Sequence, residues 1–316
     1  MMRELRSTTM PSVPPPELPS FLAEDLPQER RVYQLESGPD RGKIIHFIDH
    51  GNPDGQPVIL QHGNPTWCYL WRKVIARLDP ERFRCLAPDL LGFGLSDSLS
   101  KVSDHTLDRH LQAMREWAET RQLAKGAILV GQDWGGPLVV GMGMAIPEVS
   151  GIVLANTAVL VPKRPLGTSF HKFARMPLVS DIIFRLGGFP QNILGRVQGD
   201  PKSISGQVAR AYRWPLRLGR RSGPLALARM VPSSTDHPSV PPLREIEAWI
   251  RAFEGPMALV WGERDPILGR ALKRHVEAFP QAAVTRTQAG HFLQEEVPDE
   301  IARAIRHMTL QGQSRP

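Results

Sequence analysis

The chain has 316 residues, of which 41% are hydrophobic and 22% are charged, and its formal net charge is +7. This length and composition suit one large α/β domain with an insertion or two small domains, and they exclude a chain that is disordered throughout. The two cysteines, Cys68 and Cys85, have neither disulfide-framework nor metal-ligand spacing. We therefore expect a soluble protein of the reduced cytoplasm in which both thiols are buried.

The N-terminal stretch, residues 1–28, is rich in proline and contains no continuous apolar run. Its prolines include Pro11, Pro14, Pro15, Pro16 and Pro19. A secretory signal has a central run of roughly 7 to 15 apolar residues, and a membrane span needs roughly 18 to 20, which no later segment approaches. We predict an N-terminal extension at 1–28 and no membrane partner.

Segments typical of strands alternate with amphipathic helical patterns along the rest of the chain. The strands are predicted at Arg31–Leu35, Lys43–His50, Pro57–His62, Arg84–Asp89, Ala127–Gln132, Ser150–Thr157, Met257–Trp261 and Ala283–Thr287. The helices are predicted at Leu70–Leu78, Leu107–Thr120, Pro137–Ile146, Leu243–Phe253, Leu268–Phe279 and Pro298–Met308. Several strands are near-continuous apolar runs, which is typical of strands covered on both faces. The pattern predicts the α/β class, with a mostly parallel, eight-stranded, doubly wound sheet whose first two strands form a hairpin.

The alternation stops after Thr157. Residues 158–240 are rich in Arg, Pro, Gly and scattered aromatics, and they show short helical patterns without a convincing strand. An insertion of this length predicts a helical lid over the carboxyl edge of the sheet, where open α/β folds place their sites. The core is thereby divided into 29–157 and 241–310, followed by a polar tail at 311–316. The aromatic residues that either roof a pocket or fill the lid's own core are Phe170, Phe173, Phe184, Phe189 and Trp214.

The predicted lid is strongly basic. Between Val161 and Met230 there are thirteen Lys or Arg and only two acidic residues, Asp181 and Asp200, which is a local balance of +11. The densest part contains Arg210, Arg213, Arg217, Arg220 and Arg221. Such a surface can attract anions, nucleic acid or acidic membranes. Because no nucleic-acid motif accompanies it, we predict a solvated surface and no nucleic-acid partner.

The segment from Gly131 to Gly136 places a carboxylate at a sharp strand-to-helix turn. An apolar run leads into the turn, and glycines lie on both sides of Asp133. Small neighbours let such a turn pack closely and hold its central side chain above the sheet. A carboxylate there is nucleophilic at neutral pH without the help of a base. The alternative is that Asp133 only caps the helix that begins at Gly135.

Three further strand ends supply the remaining parts of a site. His291 lies in a Gly-His turn after the last predicted strand, and Asp265 lies in the loop after the preceding one. The chain order of nucleophile, acid and base is that of a hydrolase triad on an α/β sheet. We favour Asp265 over Glu263 as the acid because Asp265 lies deeper in its loop. Asn64 follows an earlier strand, and its backbone N–H, together with that of Trp134, is expected to bind an oxyanion.

These motifs resemble those of the haloalkane dehalogenases of the α/β-hydrolase superfamily, over about residues 32–308. The segments that carry the resemblance are His62–Trp67, Asp89–Ser96, Gln132–Gly136, Tyr212–Pro215 and Gly290–Gln294. The segment Asp89–Ser96 is shared by many relatives and discriminates little. The pairing of Asn64 with Asp133 and Trp134 is far more specific.

The resemblance implies an α/β-hydrolase fold and hydrolysis of a carbon–halogen bond in a small halogenated substrate, with no metal and no cofactor. It implies that Asp133 becomes alkylated, that His291, oriented by Asp265, activates the hydrolytic water, and that the Asn64 amide and the Trp134 indole hold the leaving halide. Some members carry their acid as a Glu after the strand that follows the elbow helix. Here that strand ends without a carboxylate at Asn156, which favours Asp265 and gives Asn156 a structural role.

Two other functions stay open at this stage. Epoxide hydrolases share the Asp elbow, the His and the late acid, but ring opening creates an alkoxide, and their lids usually provide paired tyrosines to protonate it. This lid has only Tyr212, because the other two tyrosines are Tyr33 and Tyr69. A non-catalytic binding scaffold is the second alternative, since a fold does not set a function. A serine esterase is disfavoured because the elbow lacks Ser, and the oligomeric state is not predicted.

Overall fold

The computed structural model describes residues 14–121, 123, 126–162, 169–219 and 222–312. An eight-stranded sheet lies at its centre. The strands are β1 (Arg30–Gln34), β2 (Ile44–Gly51), β3 (Gln56–Gln61), β4 (Phe83–Pro88), β5 (Ala127–Asp133), β6 (Val149–Thr157), β7 (Met257–Gly262) and β8 (Ala283–Thr287). Their spatial order is β1-β2-β4-β3-β5-β6-β7-β8. β2 pairs antiparallel with β1 and with β4, and all other neighbours are parallel.

The sheet confirms the predicted class and topology. β1 and β2 form the expected hairpin, and each strand boundary lies within one residue of the prediction. For the inner parallel strands the agreement follows from the strength of the signal, because a buried parallel strand requires an uninterrupted apolar run that few other elements share.

The helices flank the sheet and form the segment between β6 and β7. They are α1 (Ser20–Asp25), α2 (Arg72–Ile75), α3 (Leu107–Glu119), α4 (Gly135–Gly143), α5 (Ser169–Ala174), α6 (Val179–Arg185), α7 (Gly206–Arg213), α8 (Gly223–Met230), α9 (Val240–Ala252), α10 (Ala271–Ala278), α11 (Leu293–Glu296) and α12 (Pro298–Gly312). None of these described helices combines the length and apolarity that crossing a membrane requires.

The sheet is covered on both faces, as a doubly wound fold requires. Along β5, Ala127 and Leu129 enter one hydrophobic core, Ile128 and Val130 enter the other, and all four are fully buried. Alternate side chains of a strand point to opposite faces, so a continuous apolar run serves both cores. Helices α3, α4, α9 and α10 cover the first face, and α2, α11 and α12 cover the second.

The described part of 158–240, which we call the lid, is helical and contains no strand. It comprises α5 to α8 and three short 3-10 turns. Phe184 on α6 packs against Phe170, Phe173 and Phe189, with ring centroids 4.9 to 6.1 Å apart. These rings form a small core inside the lid, whereas Trp214 packs against the core of the second sheet face. Of the predicted basic cluster, Arg220 and Arg221 lie outside the described residues.

The N-terminal segment is attached to the core more closely than the predicted extension at 1–28 implies. Leu22 on α1 and Leu26 just after it are buried in the second core. They are four positions apart, so one helical turn brings both to the same side. Asp25 on α1 also forms an ion pair with Arg72, at 3.2 Å. The packed part of the chain therefore begins before residue 29.

Candidate active site

Asp133 lies at the sharp turn between β5 and α4. Its φ of 52° is in the left-handed region, which an Asp tolerates better than most residues. A Cβ added to Gly135 would lie 2.0 Å from the carbonyl oxygen of Gln61, so the turn packs against the end of β3 more closely than a side chain would allow. The Thr157 hydroxyl donates a hydrogen bond to the Asp133 carbonyl from the end of β6. These contacts hold the carboxylate above the carboxyl edge of the sheet.

Backbone N–H groups hold the Asp133 carboxylate. The Asn64 N–H donates to Oδ1 at 2.7 Å, and the Trp134 N–H also donates to the carboxylate. The close approach of Asn64 depends on Gly63, since a Cβ there would lie 2.5 Å from the same Oδ1. The His62 imidazole braces the turn, with Nε2 accepting from the Leu90 N–H at 3.0 Å and Nδ1 lying 2.9 Å from the Gly63 carbonyl oxygen.

The other carboxylate oxygen faces His291. Its Oδ2 lies 3.7 Å from Nε2 of His291, and Nδ1 of His291 lies 2.9 Å from Oδ2 of Asp265. The side chains of His291 and Asp265 are 1% and 0% exposed, so water barely competes for the bond between them. Glu263 lies elsewhere, because its carboxylate contacts Arg286 and Gln288 at the surface.

Burial and charge set the protonation of this group. Loss of water raises the pKa of the Asp133 carboxyl above its ordinary value, although His291 and the two backbone N–H groups oppose the rise. Burial by itself lowers the pKa of His291, but the charge and hydrogen bond of Asp265 and the charge of Asp133 outweigh it and raise that pKa overall. A raised pKa means that the His291 imidazole binds a proton more strongly, which suits a general base.

Two buried amides that the sequence reasoning did not place in the site support the imidazole. The Gln132 amide nitrogen lies 3.3 Å from Nε2 of His291 and donates to the His291 carbonyl at 3.1 Å. Asn156, at φ 37°, donates to the Gly290 carbonyl at 2.8 Å and accepts from the Gly262 N–H at 2.9 Å. Asn156 therefore ties the loop of Asp265 to the loop of His291, which fits its predicted structural role. For Gln132 the only sequence signal was its place beside Asp133.

A cavity of about 360 Å³ opens over the Asp133 carboxylate, between the sheet edge and the lid. Its polar lining includes Asn64, Asp133, Trp134 and His291. Apolar side chains form much of the remaining wall, namely Phe170, Phe189, Pro190, Ile193, Leu194, Val197, Ala228, Val231, Pro266, Ile267 and Phe292. A wider depression of about 630 Å³ near Asn52 and Glu148 contains none of the predicted site residues. The cavity over Asp133 suits a small apolar ligand with one polar end.

The two predicted halide donors both line the cavity, but in this structure each also donates to helix α8. The Asn64 amide nitrogen donates to the Pro224 carbonyl at 3.1 Å, and the Trp134 indole nitrogen donates to the Leu227 carbonyl at 3.0 Å. An Asn amide has a second N–H, whereas an indole has only one. An anion beside Trp134 therefore has to share or replace the Leu227 carbonyl.

None of the three tyrosines of the chain lines the cavity. Tyr212 is buried in the lid and donates to Glu295 at 2.6 Å, Tyr33 donates to Glu116 at 3.1 Å, and Tyr69 donates to Asp25. Burial raises the pKa of the Tyr212 hydroxyl well above its ordinary value. The hydroxyl groups that could protonate an alkoxide are thus engaged elsewhere.

The fold, with its elbow between β5 and α4, defines this protein as an α/β hydrolase, and the family model described as "alpha/beta hydrolase fold" matches residues 56–298. A haloalkane dehalogenase of Mycobacterium marinum is 33% identical over 268 residues, which cover 83% of this chain and 87% of that protein. Haloalkane dehalogenase 2 of Mycobacterium tuberculosis H37Rv is 32% identical over 292 residues, which cover 89% and 97%. The chain belongs to the haloalkane dehalogenase family, as the resemblance predicted.

Solved structures agree with this assignment. The haloalkane dehalogenase DatA from Agrobacterium tumefaciens C58 is 26% identical, with a TM-score of 0.75 over 89% of this chain and 97% of that one. DbeA from Bradyrhizobium elkani USDA94 is 22% identical, with a TM-score of 0.77 over 90% and 99%. The second likeness supports the fold alone.

Proposed function

We propose that this protein is a haloalkane dehalogenase that hydrolyses the carbon–halogen bond of a small haloalkane to an alcohol, a halide and a proton. The observation that carries the proposal is the position of the Asp133 carboxylate. Oδ1 accepts a hydrogen bond from the Asn64 N–H at 2.7 Å, and Oδ2 lies 3.7 Å from Nε2 of His291 in a mostly apolar cavity. A partly buried carboxylate so arranged suits nucleophilic attack on carbon.

In the first step, Oδ2 of Asp133 attacks the halogenated carbon in line. The carbon–halogen bond breaks, its electron pair leaves with the halide, and an alkyl ester of Asp133 remains. No proton is needed, because a halide is already a stable anion. Its departure instead requires donors that accept a diffuse charge in a dry cavity, and the neutral N–H groups of the Asn64 amide and the Trp134 indole suit this role. The halide takes the place of the Leu227 carbonyl as partner of the indole.

In the second step, water attacks the Asp133 carbonyl carbon while Nε2 of His291 accepts its proton. Asp265 holds Nδ1 of His291 and stabilises the imidazolium that forms. The Asn64 and Trp134 N–H groups bind the oxyanion at Oδ1. Collapse of this intermediate breaks the ester bond, the imidazolium of His291 protonates the departing alkoxide to the alcohol, and the regenerated Asp133 carboxyl loses its proton to solvent as the carboxylate returns.

The cavity disfavours the epoxide hydrolase alternative. Ring opening requires an acid beside the departing oxygen, and none of the described lining residues is a tyrosine, lysine or arginine. His171 is an ionisable group in that lining besides Asp133 and His291, and burial with the charge of Arg175 lowers its pKa to about 4. His171 is therefore neutral at pH 7 and a poor proton donor.

Two buried, free cysteines suit a reduced compartment, and we propose a cytoplasmic location.

We propose that the lid, as bounded at 158–240, determines which haloalkane enters, since it supplies Phe170, Phe189 and Val231 to the cavity wall.

The assay that tests the function follows bromide and acid release from 1-bromobutane and 1,2-dibromoethane. Wild type should release both, and Asp133→Ala should release neither, because no nucleophile remains. Asp108→Ala removes an exposed acid in the first turn of α3 and should behave as wild type. Diol formation from styrene oxide without bromide release would instead show an epoxide hydrolase. Inactivity of the folded protein in both assays would favour a binding scaffold.

Replacing Trp134 with Phe should lower kcat/KM for 1-bromobutane by roughly 10²- to 10³-fold, the range seen when one donor to transition-state charge is lost. Bromide should also become a weaker product inhibitor, which steady-state inhibition measures. The control is Trp67→Phe, since Trp67 is buried away from the cavity and its indole nitrogen has no partner among the described residues. Equal effects of the two substitutions would contradict the halide role of Trp134.

A further inference from the structure

Helix α6 in the lid presents an aliphatic stripe to solvent. Val179, Ile182, Ile183 and Leu186 are 44%, 57%, 38% and 73% exposed, and their spacing of i, i+3, i+4 and i+7 places them on one side of the helix. Leu178, immediately before the helix, is 77% exposed. We call these five residues the α6 face. A helix on a protein surface usually has polar residues at such positions.

The opposite side of α6 makes the contacts that attach the helix to the rest of the lid. The α6 face therefore takes no part in the lid core. Phe184 is buried among the lid aromatics, and Ser180 is fully buried. Asp181 forms an ion pair with Arg229 of α8 at 2.8 Å. The helix is therefore anchored by its inner side and leaves a second, aliphatic side without a partner in the described chain. Contiguous exposed apolar surface of this kind marks an interaction site.

The lid that carries the α6 face is positively charged. The described lid residues 169–219 contain eight Lys or Arg and two Asp. Lys172, Arg185 and Arg217 among them are exposed. Arg185 also lines a surface groove with Ile182 and Leu186 of the face, and the acid in that groove, Asp181, is paired with Arg229. An aliphatic helix side on a lid with exposed basic groups is the pattern of a helix that lies in the interface of an anionic membrane.

We propose that the α6 face docks the protein on an anionic lipid surface. A second copy of this chain fits less well, because a two-fold contact would bring two positively charged lids together. The sequence predicted no membrane partner because it contains no spanning segment, but docking at an interface requires none. Phe170 and Phe189 line the cavity and pack on the inner side of α6, so docking would bring the cavity roof next to lipid. Haloalkanes concentrate in lipid, so docking would bring the protein close to its proposed substrate. That benefit rests on the proposed function, but docking on lipid does not depend on it.

Vesicle flotation of the full chain tests the proposal. Vesicles of phosphatidylcholine with one quarter phosphatidylglycerol should bind the protein, more weakly as salt is added, and pure phosphatidylcholine vesicles should bind it much less. The double substitution Ile182→Ser with Leu186→Ser should weaken binding roughly tenfold or more, because binding scales with buried apolar area. The control is Val284→Ser, which removes a 41% exposed side chain from β8 outside the lid.

Bromide release from dissolved 1-bromobutane should be the same for wild type and both variants, since Ile182, Leu186 and Val284 do not line the cavity. Vesicle flotation then reports only on lipid docking and bromide release only on catalysis, so the failure of one proposal is distinguished from the failure of the other. Absence of binding to anionic vesicles, or equal binding by the double variant, would overturn the proposal. A dimer in light scattering that the double variant abolishes, without vesicle binding, would assign the α6 face to a second copy.

Discussion

Replacing His291 with Gln should stop the enzyme after its first chemical step and leave the protein alkylated at Asp133. The displacement needs no base, because the halide leaves as an anion, whereas ester hydrolysis needs Nε2 to accept a proton from water. Turnover should fall by roughly 10²- to 10⁴-fold, the usual contribution of a general base. One equivalent of bromide per active site should still be released.

The geometry is the reason to expect that the two proposed steps separate. The distance of 3.7 Å between Nε2 of His291 and Oδ2 of Asp133 exceeds a hydrogen bond, so the imidazole does not occupy the attacking oxygen. That oxygen is also distinct from Oδ1, which the Asn64 N–H holds at 2.7 Å. Losing the imidazole therefore leaves the nucleophile in place.

Intact-mass spectrometry after incubation with 1-bromobutane measures the trapped species. His291→Gln should gain one butyl group, which peptide mapping should locate at Asp133. The double variant with Asp133→Ala should gain none. In wild type, repeated turnover in ¹⁸O-labelled water should place the label in the Asp133 carboxylate. An active wild type that never incorporates the label would contradict the ester scheme, as would a His291→Gln protein without an adduct.

The second large effect is expected for Asp265→Asn, which should lower kcat by about 10⁴-fold with a much smaller change in KM. A comparable change in a serine-protease triad has this magnitude because the imidazole adopts the wrong tautomer. Asp265 accepts from Nδ1 of His291 at 2.9 Å and accepts from the Ile267 N–H at 2.7 Å. The amide introduced by Asp265→Asn has the same shape but can donate to Nδ1, which would move the imidazole proton to Nε2. A protonated Nε2 cannot accept the proton of the hydrolytic water.

Steady-state bromide release at several pH values tests this role. Asp265 raises the pKa of His291, so its removal should lower the pKa that governs the loss of hydrolysis in acid, in addition to lowering the maximal rate. The matched control is Glu263→Gln, because Glu263 lies in the same loop but its carboxylate is 42% exposed and paired with Arg286. Loss of activity in Glu263→Gln but not in Asp265→Asn would reverse the assignment of the acid.

The motifs that carried the sequence predictions share one property. Asp133, Asp265 and His291 each follow a predicted strand, and parallel strands end at one edge of a sheet. Strand prediction was therefore sufficient to bring together residues separated by more than a hundred positions. The same reasoning failed to include Gln132, because an amide beside a nucleophile has no distinctive spacing. It also did not predict that α1 packs on the core, since α1 is short and lies among prolines.

Other features depended on packing between distant segments. The carbonyls of Pro224 and Leu227 meet the Asn64 and Trp134 side chains only because α8 lies over the sheet edge. Packing between distant segments also decides which lid aromatics line the cavity, as Phe170 does, and which are buried in the lid core, as Phe184 is. The apolar residues of α6 follow an ordinary helical period, and the sequence could not tell that this side faces solvent.

By itself, the sequence determined the strands, the order of the sheet-edge motifs and the chemical type of the proposed nucleophile, because apolar runs, glycine turns and a carboxylate in place of a hydroxyl are local properties. The tertiary structure decided the partner of each donor, the lining of the cavity and the exposure of the α6 face. These depend on which surfaces meet across the fold, and a helical or strand period specifies a side of an element but not what covers it.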